Sequence, residues 1–231
     1  MPKFLLPLLA LLAAIWLYLT KQSKKKYTSP IYLAKLQELI SFLDQIKSLK
    51  GYITWVERDQ IKETYTTTAS FFNNKNNYYK QEERVGLFNE IYQHLEHHIK
   101  QHNLNYVKTE KESLKLYFDD IEGKSLDEQQ RTAVVTDEYA NLIIAGAGSG
   151  KTLTILAKVK YLIEQKNIKP EEILLLSFTN KTVEDLNQRI SALNLGTRAL
   201  TFHKLGYNII KQYEENIPVT TNDNTLKKVI N

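Results

Sequence analysis

Residues 145–152 read Ala-Gly-Ala-Gly-Ser-Gly-Lys-Thr, and residues of these types at this spacing hold phosphate. Gly146, Gly148 and Gly150 let the backbone curl without Cβ clashes, so successive N–H groups turn inward toward anionic oxygens. A helix starting near Lys151 adds the positive end of its dipole. In such a loop Lys151 reaches the β- and γ-phosphates of a nucleoside triphosphate, and the Thr152 hydroxyl ligates the Mg²⁺ that bridges them. Ala147 and Ser149 complete the cradle, and Ala145 stands where the strict pattern has glycine. Three of the chain's eight glycines lie in this loop, which makes a turn without a ligand a poor account of it. The loop alone names neither base, reaction nor partner.

The elements that must position this loop follow from the apolar runs around it. Leu142-Ile143-Ile144 reads as a short buried strand ending at the loop, and a helix is expected from Lys151 to Ile163. Ile173–Leu176 is a second apolar run, followed by a helical stretch from about Thr182 to Leu193. Leu200-Thr201-Phe202 is a third short strand, followed by a helix to about Glu214. Strand–helix alternation predicts an α/β layer, a parallel sheet covered by helices, over residues 121–231. Just upstream, Ser125 or Asp127 is a cap for a helix through Leu126–Val134. Within it the Gln130 amide is of the kind that bonds adenine bidentately, although a lone glutamine is more often a solvated surface residue.

Residues 27–120 read as a helical region. Tyr32, Leu36, Leu39, Leu43 and Ile46 recur at 4, 3, 4 and 3 residues, one stripe of a packed helix, with a short coiled-coil contact as the sharper alternative. Asn-rich residues 71–80 suggest a loop or a frayed helix start. Residues 84–102 predict a helix with Phe88, Ile91, Leu95 and Ile99 on one side. On that helix His94, His98 and His102 would share a face, either as a metal site or as a solvated polar face.

Composition narrows the classes. The chain has 231 residues, 42% hydrophobic and 25% charged, which is a folded body rather than a disordered one. Without cysteine there is no disulfide framework, thiolate metal site or cysteine nucleophile. Lys+Arg number 31 and Asp+Glu 26, but residues 1–26 hold five lysines and no acid. The body of the chain is therefore neutral, and the overall basicity is no argument for nucleic-acid binding. Phe4–Thr20 is a 17-residue run without charge, followed by KQSKKK. This predicts a single-pass membrane anchor over residues 1–26, with the rest of the chain on the cytoplasmic side. A cleaved signal peptide and a cytoplasmic chain without an anchor are the competing readings.

Taken together, the segments around the glycine loop resemble the UvrD/Rep-like superfamily 1 DNA helicases, in particular the helicase IV type. LDEQQRTAV is similar to that family's Q motif, NLIIAGAGSGKT to its strand and Walker A loop, LLLSFTNKTVEDLNQRI to its motif Ia and ALTFHKLGYNII to its motif Ib. The resemblance covers residues 126–210 and implies ATP with Mg²⁺ as cofactors, DNA as partner and 3′–5′ unwinding. It assigns Gln130 to adenine. Phe178, with Thr179, Asn180 and Lys181, falls where motif Ia touches single-stranded DNA, and Thr201, Phe202 and His203 fall where motif Ib lies near its backbone. Without the resemblance the two phenylalanines read better as core residues at strand ends.

The family's Walker B strand ending in Asp-Glu has no counterpart after residue 203, and its second RecA-like domain is likewise not represented. The expectation is therefore the N-terminal portion of a helicase, ending within a truncated RecA-like P-loop NTPase domain and unable to unwind DNA alone. A non-catalytic, membrane-tethered nucleotide-binding module is the alternative.

Overall fold

The computed structural model describes residues 11–18, 26–78, 81–146 and 148–213. The chain divides into two compact units, one of Met1–Ser113 with Thr136–Leu142, the other of Leu114–Val135 with Ile143–Asn231.

The regular elements among the first unit's described residues are all helices. Residues 11–18 form a short helix, α1. Helix α2 (Pro30–Lys47) starts where Ser29, in extended conformation, accepts the Tyr32 N–H, with Pro30 presetting the first turn. Helix α3 (Trp55–Thr64) opens on a reciprocal Thr54–Glu57 capping box. Helices α4 (Thr66–Phe72), α5 (Glu82–Gln93) and α6 (Leu95–Ser113) complete it. Tyr32 and Leu39 of the α2 stripe are buried, and Leu36, Leu43 and Ile46 pack against the core as half-buried neighbours. The centre is aromatic: the fully buried Phe42 ring lies 4.9 Å from Phe88 and 5.1 Å from Tyr65, both edge-to-face. Residues 136–142 join this unit through Glu138, which accepts the Trp55 N–H at 2.9 Å at the start of α3.

Two expectations for this unit are corrected. The helix expected over 84–102 is two helices, because α5 ends at His94. His98 instead pairs with Glu90 at 3.2 Å and the His102 ring donates to the Gly51 carbonyl at 2.8 Å. Among the described residues no group of His, Asp or Glu is arranged to hold a metal.

The membrane anchor is also overturned. Among the described residues no helix is long and apolar enough to cross a membrane. Of the predicted span, residues 4–10 and 19–20 lie outside the described residues. The membrane partner and the membrane location fall with it.

The second unit begins with α7 (Lys115–Asp119), a turn at Ile121–Lys124, and α8 (Glu128–Val135). Then come α9 (Lys151–Glu164), β1 (Leu175–Ser177), α10 (Asn180–Ala192), β2 (Ala199–Thr201) and α11 (Phe202–Tyr213). Strands β1 and β2 are parallel, with Leu175, Leu176 and Ser177 opposite Ala199, Leu200 and Thr201. Leu156 and Val159 of α9, Leu186 and Ile190 of α10, and Ala199 of β2 bury together as the core beneath them.

The truncated RecA-like α/β layer is therefore corrected: the described chain is mostly helical, with two parallel strands. Residues 142–144, expected as a buried strand, pair with neither β1 nor β2, and Leu142 and Ile144 are 85% and 88% exposed. An apolar run becomes a strand only when a neighbouring backbone takes up its N–H and C=O groups, and no described segment does so here.

Candidate functional site

The glycine loop leads directly into α9, whose N-cap is Gly150 in the left-handed conformation at φ 84°. Gly148 is left-handed as well, at φ 75°. At Gly150 glycine is required twice over. Besides the backbone angle, a Cβ there would meet the Gln130 Nε2 at 2.5 Å. Lys151 folds back over the loop, its ammonium donating to the Ala145 carbonyl at 2.9 Å and the Gly146 carbonyl at 2.6 Å. The Ser149 hydroxyl closes the turn onto the same Gly146 carbonyl. Thr152 follows in the first turn of α9, half-buried. Ala147 lies outside the described residues.

Gln130 does two jobs. With Asp127 it forms a reciprocal cap: the Asp127 carboxylate accepts the Gln130 N–H at 2.8 Å, and the Gln130 side-chain oxygen accepts the Asp127 N–H at 2.9 Å. Asp127, rather than Ser125, thus caps α8. The amide nitrogen of Gln130 donates to the Ser149 carbonyl at 3.2 Å, tying the cap to the loop. Behind it, Arg131 donates to the Leu126 carbonyl and to Asp119, and the Asp119 carboxyl is held below its usual range by that arginine.

Gln130, Gly150, Lys151, Thr152, Lys124 and Arg189 line one cleft of about 800 Å³, within the roughly 300–1,000 Å³ typical of small-molecule sites. The residues fit a nucleoside triphosphate. Left-handed glycines turn the loop, a 14-residue helix starts at it, and cations from three segments share the cleft. Gly150→Ala is expected to destabilise this unit by about 1–3 kcal/mol, through left-handed strain and displacement of Gln130. A lowered urea midpoint together with weaker nucleotide binding checks it.

The residues expected at DNA gather at the C-terminal ends of the two strands. Ser177 pairs with Thr201, so Phe178 and Phe202 each follow one member of a registered pair. They are 85% and 62% exposed, which removes the reading of them as core. Thr179 caps α10 by accepting the Thr182 N–H, and Asn180, Lys181 and His203 are exposed beside it. Thr201 is buried and accepts the Lys204 N–H.

Two structural links were not readable from the sequence. The Asn187 side chain bonds both the N–H and the C=O of Ala199, completing the edge of β2. Arg189 forks onto Glu122, 67 residues earlier, and each holds the other charged: the Glu122 carboxyl is pushed down and the Arg189 guanidinium up.

A glycine cradle at a helix start, a lysine folded into it and a glutamine bonded to it define a P-loop unit of nucleotide-binding form. Residues 126–229 match the UvrD/REP helicase N-terminal domain. DNA helicase IV of Escherichia coli is 36% identical over 124 residues, 52% of this chain and 18% of that protein. The ATP-dependent DNA helicase PcrA of Staphylococcus epidermidis is 35% identical over 104 residues, 43% of this chain and 14% of that protein. The ATP-dependent DNA helicase srs2 of Schizosaccharomyces pombe is 34% identical over 104 residues, 43% of this chain and 12% of that protein. This stretch of the chain is UvrD/Rep-like. The chain spans at most 18% of the length of these three relatives.

Proposed function

We propose that the second unit is the ATP-holding and strand-contacting part of an ATP-dependent 3′–5′ DNA helicase. The observation that carries the reading is the Gln130 amide bonded to a P-loop carbonyl, in a segment, residues 126–229, that matches the UvrD/REP helicase N-terminal domain. In this reading the loop amides and Lys151 hold the β- and γ-phosphates, and Thr152 supplies a hydroxyl ligand to Mg²⁺. When bound, the Mg²⁺ neutralises phosphate charge. Gln130, now sharing its amide between Asp127 and Ser149, turns a donor and an acceptor toward adenine.

Phe178 and Phe202 offer flat faces to unpaired bases, with Lys181 for the backbone. Stacking tolerates any base, which suits a protein that moves along a strand. Calorimetric titration of the purified chain with Mg·ATP tests the first part, with one site expected; absence of adenylate uptake overturns it. Anisotropy of a labelled single-stranded oligonucleotide tests the second. Phe178→Ala is expected to weaken that binding by about 1–3 kcal/mol, equally for all base compositions. No change on truncation would remove Phe178 from the strand contact.

A further inference from the structure

Arg189 lines the nucleotide cleft, yet its donors are unevenly used. Its Nε lies 3.0 and 3.2 Å from the two carboxylate oxygens of Glu122, and its Nη2 also donates to Glu122. Its Nη1 has Asp185 at 3.9 Å, beyond hydrogen-bond length. One edge of the guanidinium is thus filled by a carboxylate, and the other keeps its donors.

Glu122 is itself held in an unusual place. Its φ is 55°, and Gly123 follows at 73°. The turn is closed by bonds between Ile121 and Lys124 in both directions, at 2.8 and 3.1 Å, and anchored by the fully buried Ile121. A non-glycine residue in the left-handed region is strained and persists where its surroundings over-determine it. The next residues, Lys124 and Ser125, line the cleft that Arg189 lines. The pair therefore ties the turn that carries one part of the cleft wall to the helix that carries another, with both side chains largely shielded from water.

We propose that Glu122 is a positioning residue for the nucleotide: it fixes the Arg189 guanidinium at the cleft so that Nη1 donates to an oxygen of a bound nucleoside triphosphate. This rests on the nucleotide reading above. A free arginine surrenders most of its rotamer freedom when it binds, whereas one already forked to a carboxylate has surrendered it beforehand. A lysine cannot replace it, because an ammonium has no second edge.

The test is a titration of Mg²⁺ and a fluorescent N-methylanthraniloyl ATP into the whole chain. The variants are Glu122→Gln, Arg189→Ala and both together, with Lys151→Ala as control. Glu122→Gln is expected to weaken binding roughly 3–10-fold, a usual size for coupled contacting residues. Arg189→Ala is expected to weaken it at least as much, and the double variant no further than Arg189→Ala alone.

Unchanged affinity in Glu122→Gln overturns the inference, whatever happens to the melting temperature. So does an equal loss on adding Glu122→Gln to Arg189→Ala. If Glu122→Gln does not fold, Glu122→Asp keeps the charge and is expected to bind at an affinity between those of the wild type and Arg189→Ala; wild-type affinity there overturns the inference. A wild-type chain that takes up no nucleotide overturns the nucleotide reading and this inference with it. A wild type that binds and a Lys151→Ala that does not, with Glu122→Gln unaffected, overturns this inference alone.

Discussion

Lys151→Ala is expected to lower the affinity of the chain for Mg·ATP by about 2–4 kcal/mol, roughly 30- to 1,000-fold. The ammonium already sits inside the loop, within 2.9 Å of the Ala145 carbonyl and 2.6 Å of the Gly146 carbonyl. Phosphate oxygens would replace those carbonyl partners with charged ones, and charge-assisted bonds are the stronger kind. The carbonyls that lose the lysine belong to exposed or half-exposed residues, so water takes its place and the unfolding midpoint should shift little. Calorimetry and a urea melt on the same preparation check both halves. A large loss of stability with no loss of affinity would mean that Lys151 braces the loop rather than holding phosphate.

What was legible in the sequence is the part encoded at short range, the glycine–lysine loop and the start of a helix after it. Glycine–lysine spacing marks the loop, whereas the reciprocal Asp127–Gln130 bonds that select Asp127 over Ser125 as the cap were not read, although both residues lie within one turn. The Thr179 cap of α10 was likewise not read, the helix being expected only from about Thr182. Links between distant segments were not legible. Nothing near Glu122 announces Arg189, and nothing near Asn187 announces the backbone of Ala199. Periodicity reports which side of an element is apolar, not which partner it meets.

Two of the overturned expectations fail for a related reason. Leu142-Ile143-Ile144 has the composition of a buried strand, but strand formation depends on a neighbouring backbone, which composition does not contain. The apolar run at residues 4–20 has the composition of a span, but crossing a bilayer requires a long apolar helix, and no helix among the described residues is long and apolar enough. In both cases a three-dimensional requirement was inferred from a one-dimensional property.

Phe42→Ala in the first unit is expected to cost about 3–5 kcal/mol, enough to unfold a marginally stable helical unit. Phe42 is fully buried, and its ring meets Phe88, Tyr65 and Tyr92 at centroid distances of 4.9, 5.1 and 6.2 Å, all edge-to-face. Such pairs add to burial because the positive edge of one ring meets the negative face of another. Alanine would leave a cavity lined by the Phe88 and Tyr92 rings of α5 and by Tyr65 between α3 and α4, which cannot close it without moving α5 and that junction together. Phe42→Leu keeps most of the volume but none of the ring geometry and is expected to cost less, about 1–2 kcal/mol. Urea unfolding followed by far-ultraviolet circular dichroism checks the order wild type, Phe42→Leu, Phe42→Ala. A Phe42→Leu midpoint equal to that of the wild type would show that the aromatic packing contributes nothing beyond filled volume.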